Sequence, residues 1–207
     1  MTTEKIYVNS RGEGLDTAFD LVDGFIQKVG LSGKNAIHIR LLAEEMLGMV
    51  KAITGNFNAL FWAEGDDKEC QLHLSADVDM DADKRKELIE ASTSGKNEAA
   101  KGIMGRIREV VEVWMENYED IGKIQMQYGI DPINYSMMGV DNQTMSQAVL
   151  TWSLKQYRDD VSGAVDVEEL TEDVRDDLEK SIVANIADDV KVGIMNDKLQ
   201  MTIFKKF

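Results

Sequence analysis

Residues 39–50 read IRLLAEEMLGMV, a stretch in which apolar residues recur every three or four positions, as on a buried helix. At about 100° per residue they form one wide apolar stripe. Its members are Ile39, Leu42, Ala43, Met46, Met49, Val50 and Ile53. The opposite side combines small or apolar residues with a single carboxylate: Ile37, Leu41, Glu44, Gly48 and Ala52. The helix is therefore predicted to pack against a sheet with its first face and to be sandwiched, or to floor a pocket, with its second.

The residues before this helix predict a strand followed by another helix. Ile6 and Val8 alternate with polar neighbours, and a helical period starts at Leu15. Gly30 suits the end of that helix, and Ser32 is suited to cap the next one, which runs to about Thr54.

The residues after it predict two β-hairpins. Residues 59–63 and 70–78 flank the turn-forming EGDDKE, and apolar side chains alternate along the second run. Residues 190–194 and 199–203 repeat the pattern around Asn196 and Asp197. Before this last hairpin, apolar residues at helical spacing from Val167 to Ile186 predict an amphipathic helix.

This order of elements predicts an α/β protein. We expect a two-layer sandwich in which a mixed β-sheet is covered by helices on one face. No shift in composition marks a boundary, so residues 1–207 are predicted to form a single domain. Within it, residues 82–165 are predicted to be a mainly helical insertion, and Pro132, the only proline, favours a helix boundary there.

Composition excludes several classes of function. The 23 lysines and arginines against 38 aspartates and glutamates give a net charge of -15, which repels nucleic acids and anionic membranes. One cysteine and two histidines offer no zinc-binding spacing, so no metal ligands are assigned. No stretch is apolar enough to span a bilayer, and a cytoplasmic location is expected.

The central helix also carries a resemblance to a known family. Residues 37–53, IHIRLLAEEMLGMVKAI, resemble the N-box helix of the histidine-kinase-like ATPases, the GHKL superfamily, especially its anti-sigma-factor serine kinases. Residues 178–207 resemble the last helix and closing hairpin of those domains, and the likeness covers roughly 5–90 and 166–207. It implies a Bergerat-type ATPase fold in a bacterial regulator, with ATP or ADP and magnesium as cofactors, or no cofactor if the site is degenerate.

The resemblance also implies roles for individual residues. Glu44 matches the family's catalytic general base, which activates the nucleophile attacking the γ-phosphate. The asparagine that holds magnesium is replaced by Gly48, which has no side-chain ligand. Asp77 or Asp79 matches the aspartate that reads adenine, but the glycines that follow it in the family are absent.

Two later segments are further nucleotide-binding candidates. Gly95 and Lys96 lie in SGKN, which lacks the P-loop spacing but could hold an anion at a helix start; a capped surface helix is the alternative. Gly102 and Gly105, in KGIMGRI, are similar to the family's glycine-rich box, displaced along the chain.

These features favour a regulatory protein with an ATPase and anti-sigma-factor-like domain, degenerate in nucleotide binding and acting through protein–protein interaction. A sigma factor or an anti-sigma antagonist is the partner expected, and a homodimer stays open. The alternative is an active ATP-binding serine/threonine protein kinase of an anti-sigma switching module. A third hypothesis is a sensor that binds an apolar small molecule under the second face of the helix.

Overall fold

The protein, represented by a computed structural model, is described over residues 1–77, 103–105, 107, 111, 151–163, 181–195 and 198–207. The strands are β1 (Ile6–Asn9), β2 (Asn58–Gly65), β3 (Glu69–Asp77), β4 (Thr151–Ser153), β5 (Asp189–Met195) and β6 (Lys198–Lys206). The helices are α1 (Leu15–Lys28), α2 (Gly33–Thr54), α3 (Leu154–Gly163) and α4 (Ile182–Ile186). The predicted α/β class is confirmed.

The strands form one six-stranded sheet in the order β1-β2-β3-β6-β5-β4. All five neighbouring pairs are antiparallel, so the prediction of a mixed sheet is wrong for the described strands. The reason lies in the connection between β1 and β2, which contains two helices. With a single helix the chain would reverse direction twice and β2 would run parallel to β1. With two helices it reverses three times, so β2 runs antiparallel.

The helices α1 and α2 pack on one face of this sheet. The apolar stripe predicted for α2 is confirmed, since each of its members is at most 7% exposed: Ile39, Leu42, Ala43, Met46, Met49, Val50 and Ile53. The alternate positions of β2 and β3 are buried beneath them, with Phe61, Leu72 and Leu74 among the fully buried side chains. Burial of these large apolar groups is the main contribution that holds the two layers together.

The first predicted hairpin is confirmed as β2 and β3. Its turn is held by Asp66, whose Oδ1 accepts hydrogen bonds from the backbone N–H groups of Lys68 at 2.8 Å and Glu69 at 3.1 Å. Both bonds favour the ionised carboxylate and lower the pKa of Asp66. The closing hairpin is also confirmed, as β5 and β6.

One strand was not predicted from the sequence. Residues Thr151–Ser153 lie in the region predicted to be mainly helical, yet they form β4 and pair with β5, placing the buried Trp152 opposite Val192. Three residues are too few to show an alternating pattern, which is why periodicity did not find them.

The helix predicted to end at Ile186 is interrupted at Ser181. That residue has extended backbone angles, and its hydroxyl accepts a hydrogen bond from the N–H of Ala184 at 3.2 Å. It is therefore the N-cap of a new short helix, α4. Residues 164–180, which hold the start of the predicted helix, lie outside the described part.

Part of the predicted insertion belongs to the hydrophobic core. Ile103, Ile107 and Val111 are helical, are spaced four residues apart and are at most 5% exposed. Such spacing puts them on one side of a helix, so this side packs into the core of the domain. No helix in the described ranges is both long and apolar enough to cross a membrane.

Candidate functional site

The second face of α2 lies at the surface of the described structure. Ile37 is 60% exposed, and Glu44, Gly48 and Ala52 are exposed along the same side. Leu41, between them, is half-buried. We call this stripe of residues 37, 41, 44, 48 and 52 the outer face of α2. It presents one exposed large apolar side chain, Ile37, and one carboxylate, Glu44.

Glu44 is engaged by a neighbouring cation. Its Oε1 accepts a hydrogen bond from Arg40 Nε at 3.1 Å, while Nη1 of Arg40 lies 2.5 Å from Oδ2 of Asp23 on α1. The guanidinium also covers the ring of Phe19, 4.4 Å from its centroid. Arg40 thus joins α1 to α2. The described contacts from Arg40 reach Oε1 only, so the second oxygen of the carboxylate can still accept a proton while the ion pair is closed.

No described contact requires a glycine at position 48, one turn further along α2. A Cβ built on it meets no described atom within 4 Å, and its backbone is helical. The residue that the family resemblance assigns to magnesium is therefore missing at a position with room for a side chain. Among the described residues, this site does not fit a magnesium ion.

Asp77 is separated from these two residues by the sheet. It ends β3, where Ala76 is buried under the helices, so alternation places Asp77 on the other face. There it forms an ion pair with Lys198 at 2.9 Å. The structure therefore brings Glu44 and Gly48 together but does not bring Asp77 to them.

The remaining predicted site residues are only partly described. Gly105 lies within a helical segment, half-buried. Asp79, Gly95, Lys96 and Gly102 lie outside the described residues, and their roles stay predictions.

A second cluster, which sequence analysis missed, lies on the sheet face away from the helices. The rings of Trp62 and His73 are stacked, with centroids 4.9 Å apart and planes 10° apart. Lys5 Nζ lies 4.5 Å from the Trp62 ring, and His73 Nδ1 is 3.2 Å from Thr202 Oγ1. The register pairs Trp62 with His73 and His73 with Thr202. The alternating pattern alone could have placed these side chains on one face, but only the register makes them neighbours.

The His73 ring is held in its neutral form. Burial is the largest cause that lowers its pKa, and Lys5 adds to the effect, while Glu64 opposes it. His73 Nε2 lies 3.1 Å from Glu64 Oε1, close enough for an ion pair but not aligned as a hydrogen bond. The lowering of the His73 pKa by desolvation is therefore larger than its raising by the nearby Glu64 carboxylate.

This shift makes the fold sensitive to mild acid. In the unfolded chain a histidine takes up its proton near pH 6.5, but in the folded protein it does so only at lower pH. The unfolded state then binds more protons, so the free energy of unfolding should fall as the pH drops from about 7 to 5. Urea denaturation at a series of pH values measures this slope.

Two variants assign the slope to its source. In His73→Phe, which keeps an aromatic ring against Trp62, we expect a flatter pH dependence than in the unsubstituted protein. The chain's other histidine, His38, also has a lowered pKa, through burial and through Lys34 and Lys205, so His38→Phe should remove the rest. A slope unchanged in His73→Phe would show that His73 does not titrate differently in the two states.

Neither a nucleophilic thiol nor a metal cluster is found in the described part of the chain. Burial raises the pKa of Cys70 to about 12, so its thiol stays protonated and unreactive. The described residues contain no group of three or more His, Cys, Asp or Glu side chains placed to hold a metal ion.

Comparisons with known proteins do not assign the chain to a family. No protein-family model, no curated protein and no solved structure matches the chain.

Proposed function

We propose that the chain is a regulatory protein that acts by binding another protein, on an ATPase and anti-sigma-factor-like domain whose nucleotide site is degenerate. The observation that carries the proposal is Gly48. It stands where the resemblance requires a magnesium ligand, and no described neighbour prevents a side chain there. Packing against the described residues therefore does not explain the missing ligand, which fits a surface released from nucleotide binding.

The outer face of α2 supports the binding role. Ile37 at its N-terminal end is the most exposed large apolar side chain among the described residues. Next to this side chain lie Asp23, Arg40 and Glu44, whose two carboxylates and one guanidinium sum to one negative charge. An exposed apolar side chain at one end of the face, with one net negative charge beside it, suits a partner segment that is partly apolar and carries a base. A sigma factor or an anti-sigma antagonist is the partner class that the resemblance suggests.

An active serine/threonine kinase is the second candidate. Its support is that Glu44 is accessible, with a side-chain exposure of 46%, and lies one turn from Gly48 on the same face. In that case the oxygen of Glu44 that does not contact Arg40 would act as the base, and ligands other than residue 48 would have to hold the metal.

Thermal unfolding with nucleotides separates the two candidates. ATP and ADP are each added with and without magnesium, because a ligand that binds only the folded state raises the midpoint. At a concentration of about 100 times its dissociation constant, a nucleotide would add about 2.7 kcal/mol to the stability. We expect no nucleotide-specific rise at millimolar concentrations. A rise that magnesium strengthens would reject the degenerate site and favour the kinase.

Variants at Gly48 test the same site from the other direction. Gly48→Ala should stabilise the protein by about 0.5–1 kcal/mol, because alanine is the better helix former and no described atom obstructs its Cβ. Gly48→Asn restores the family's side chain. If loss of the asparagine is the main defect, this variant alone should gain a magnesium-dependent shift with ATP, and Gly48→Ala is the matched control without a ligand.

The binding role itself is tested by photo-crosslinking in the source organism. A photoreactive residue at Ile37 should give a discrete crosslinked species, whereas one at the exposed Asp67 of the hairpin turn should not. A second, non-photoreactive copy of the protein can be expressed in the same cells as a competitor. If that copy carries Ile37→Asp, it should not reduce the amount of the crosslinked species. Equal crosslinking from both positions would contradict a specific surface on α2.

A further inference from the structure

The sheet face away from the helices, here called the open face, has an uncharged centre. It is formed by the positions that alternate with the buried ones on β2, β3 and β6. Its central side chains are Leu60, Trp62, His73, Gln200, Thr202 and Phe204. Leu60 is 40% exposed, and Tyr7 beside it on β1 is 46% exposed. Large apolar groups are therefore accessible on the β1–β2 side of this face, while Thr202 on β6 is only 6% exposed.

Charged residues surround that centre. At the two ends of the central strands lie Asp77 with Lys198 and Glu69 with Lys206, each pair being directly opposite across β3 and β6. At the two sides lie Lys5 with Glu64, near β1 and β2, and Lys191 with Asp189, on β5. Every side of the open face thus carries one acid and one base. An uncharged centre with a charged rim is the arrangement of a protein–protein interface.

The charge of the open face differs from that of the whole chain. These four acids and four bases cancel, whereas the chain carries -15, most of it on residues outside the described part. A strongly basic partner gains nothing from a neutral surface, and it would be drawn to the acidic surfaces elsewhere. Two copies that each carry -15 repel each other, and the repulsion is weakest where both present a surface without net charge. Because each side has both signs, two copies related by a two-fold axis can place acids against bases.

We propose that the open face is where two copies of this chain pack sheet against sheet to form a homodimer. Strands about 4.8 Å apart with about 3.3 Å per residue give the face a projected area of roughly 600 Å², before side-chain relief is counted. A stable complex buries about 800 Å² of accessible surface on each partner, so the face is of the right size. The two sheets would lie about 10 Å apart with the helices outside.

This inference is independent of the proposed function. The dimer uses the sheet, while the outer face of α2 stays exposed on the opposite side of each protomer. Nucleotide binding or partner binding on α2 can therefore be absent while the chain still dimerises. Equally, the chain can be monomeric while α2 still binds a partner.

Sedimentation velocity of the whole chain over a range of concentrations tests the proposal. We expect reversible dimers, and Leu60→Lys should raise the dissociation constant at least about 30-fold, because the two-fold places the new charge in both halves of the interface. Raising the salt from about 0.05 to 0.5 M should tighten the dimer, since the two copies carry like net charge.

Ile37→Lys is the matched control. It puts the same charge on a more exposed apolar residue, on α2 rather than on the sheet, and should leave the dimer unchanged. If circular dichroism shows that Leu60→Lys is unfolded, Gln200→Lys in the centre of the same face replaces it. A chain that is monomeric at all concentrations, or a dimer weakened by Ile37→Lys and not by the open-face variants, would overturn the proposal.

Discussion

Gly14→Ala is expected to destabilise the protein by roughly 3 kcal/mol, from left-handed backbone strain together with a forced shift of the strand. Gly14 precedes α1 with φ 78°, a conformation that L side chains rarely adopt. A Cβ there would overlap the carbonyl oxygen of Tyr7, so β1 and the start of α1 would have to separate. Urea denaturation of the variant and the unsubstituted protein measures the loss.

Gly12→Ala is the control for backbone strain. Gly12 also has a positive φ, 96°, but a Cβ on it would meet only a side-chain atom of Leu15 at 3.9 Å, an ordinary contact. We therefore expect about 1 kcal/mol of strain without displacement. Equal losses of stability in the two variants would mean that the overlap of the new Cβ with β1 adds nothing to the cost of Gly14→Ala.

Local periodicity accounts for the part of the fold that was predictable. The stripe from Ile39 to Ile53 identifies α2 and its buried face because every third or fourth residue shares one side of a helix. The alternation from Cys70 to Ala76 identifies β3 for the same kind of reason, and a short turn then requires its pairing with β2.

Strand direction and short strands depend on longer-range contacts. The antiparallel pairing of β1 with β2 follows from how α1 and α2 stack, which no local pattern reports. The strand at Thr151–Ser153 exists because β5 offers a free edge to it, since its own sequence is too short to specify a strand. Tertiary pairing decides such segments.

The shared face of Glu44 and Gly48 was predictable, but their environment and the separation of Asp77 from them were not. Helical spacing placed Glu44 and Gly48 on one face, and the structure agrees. The contact of Arg40 with Asp23 depends on the crossing of α1 over α2, so the sequence could not show that Glu44 shares its cation with another helix. The stack of Trp62 on His73 likewise depends on the register of β2 against β3.

Leu72→Ala is expected to cost about 3–4 kcal/mol, the largest effect of a single truncation proposed for this chain. Leu72 is 1% exposed in the middle of β3, opposite Ala63 on β2 and Ile203 on β6. Two small or branched neighbours cannot fill the space that a leucine leaves, so the variant should lose both apolar burial and packing contacts. The change in the free energy of unfolding, measured in urea, checks this value.

Leu60→Ala removes the same atoms from the opposite face of the sheet. Leu60 is 40% exposed, so its truncation should cost less than about 1 kcal/mol, measured at a protein concentration low enough to keep the chain monomeric. The difference between the two variants reports which face the helices cover, because the substitution is identical in both. If Leu60→Ala cost as much as Leu72→Ala in the monomer, the open face would be buried within a single chain, and there would be no free surface for a second copy to occupy.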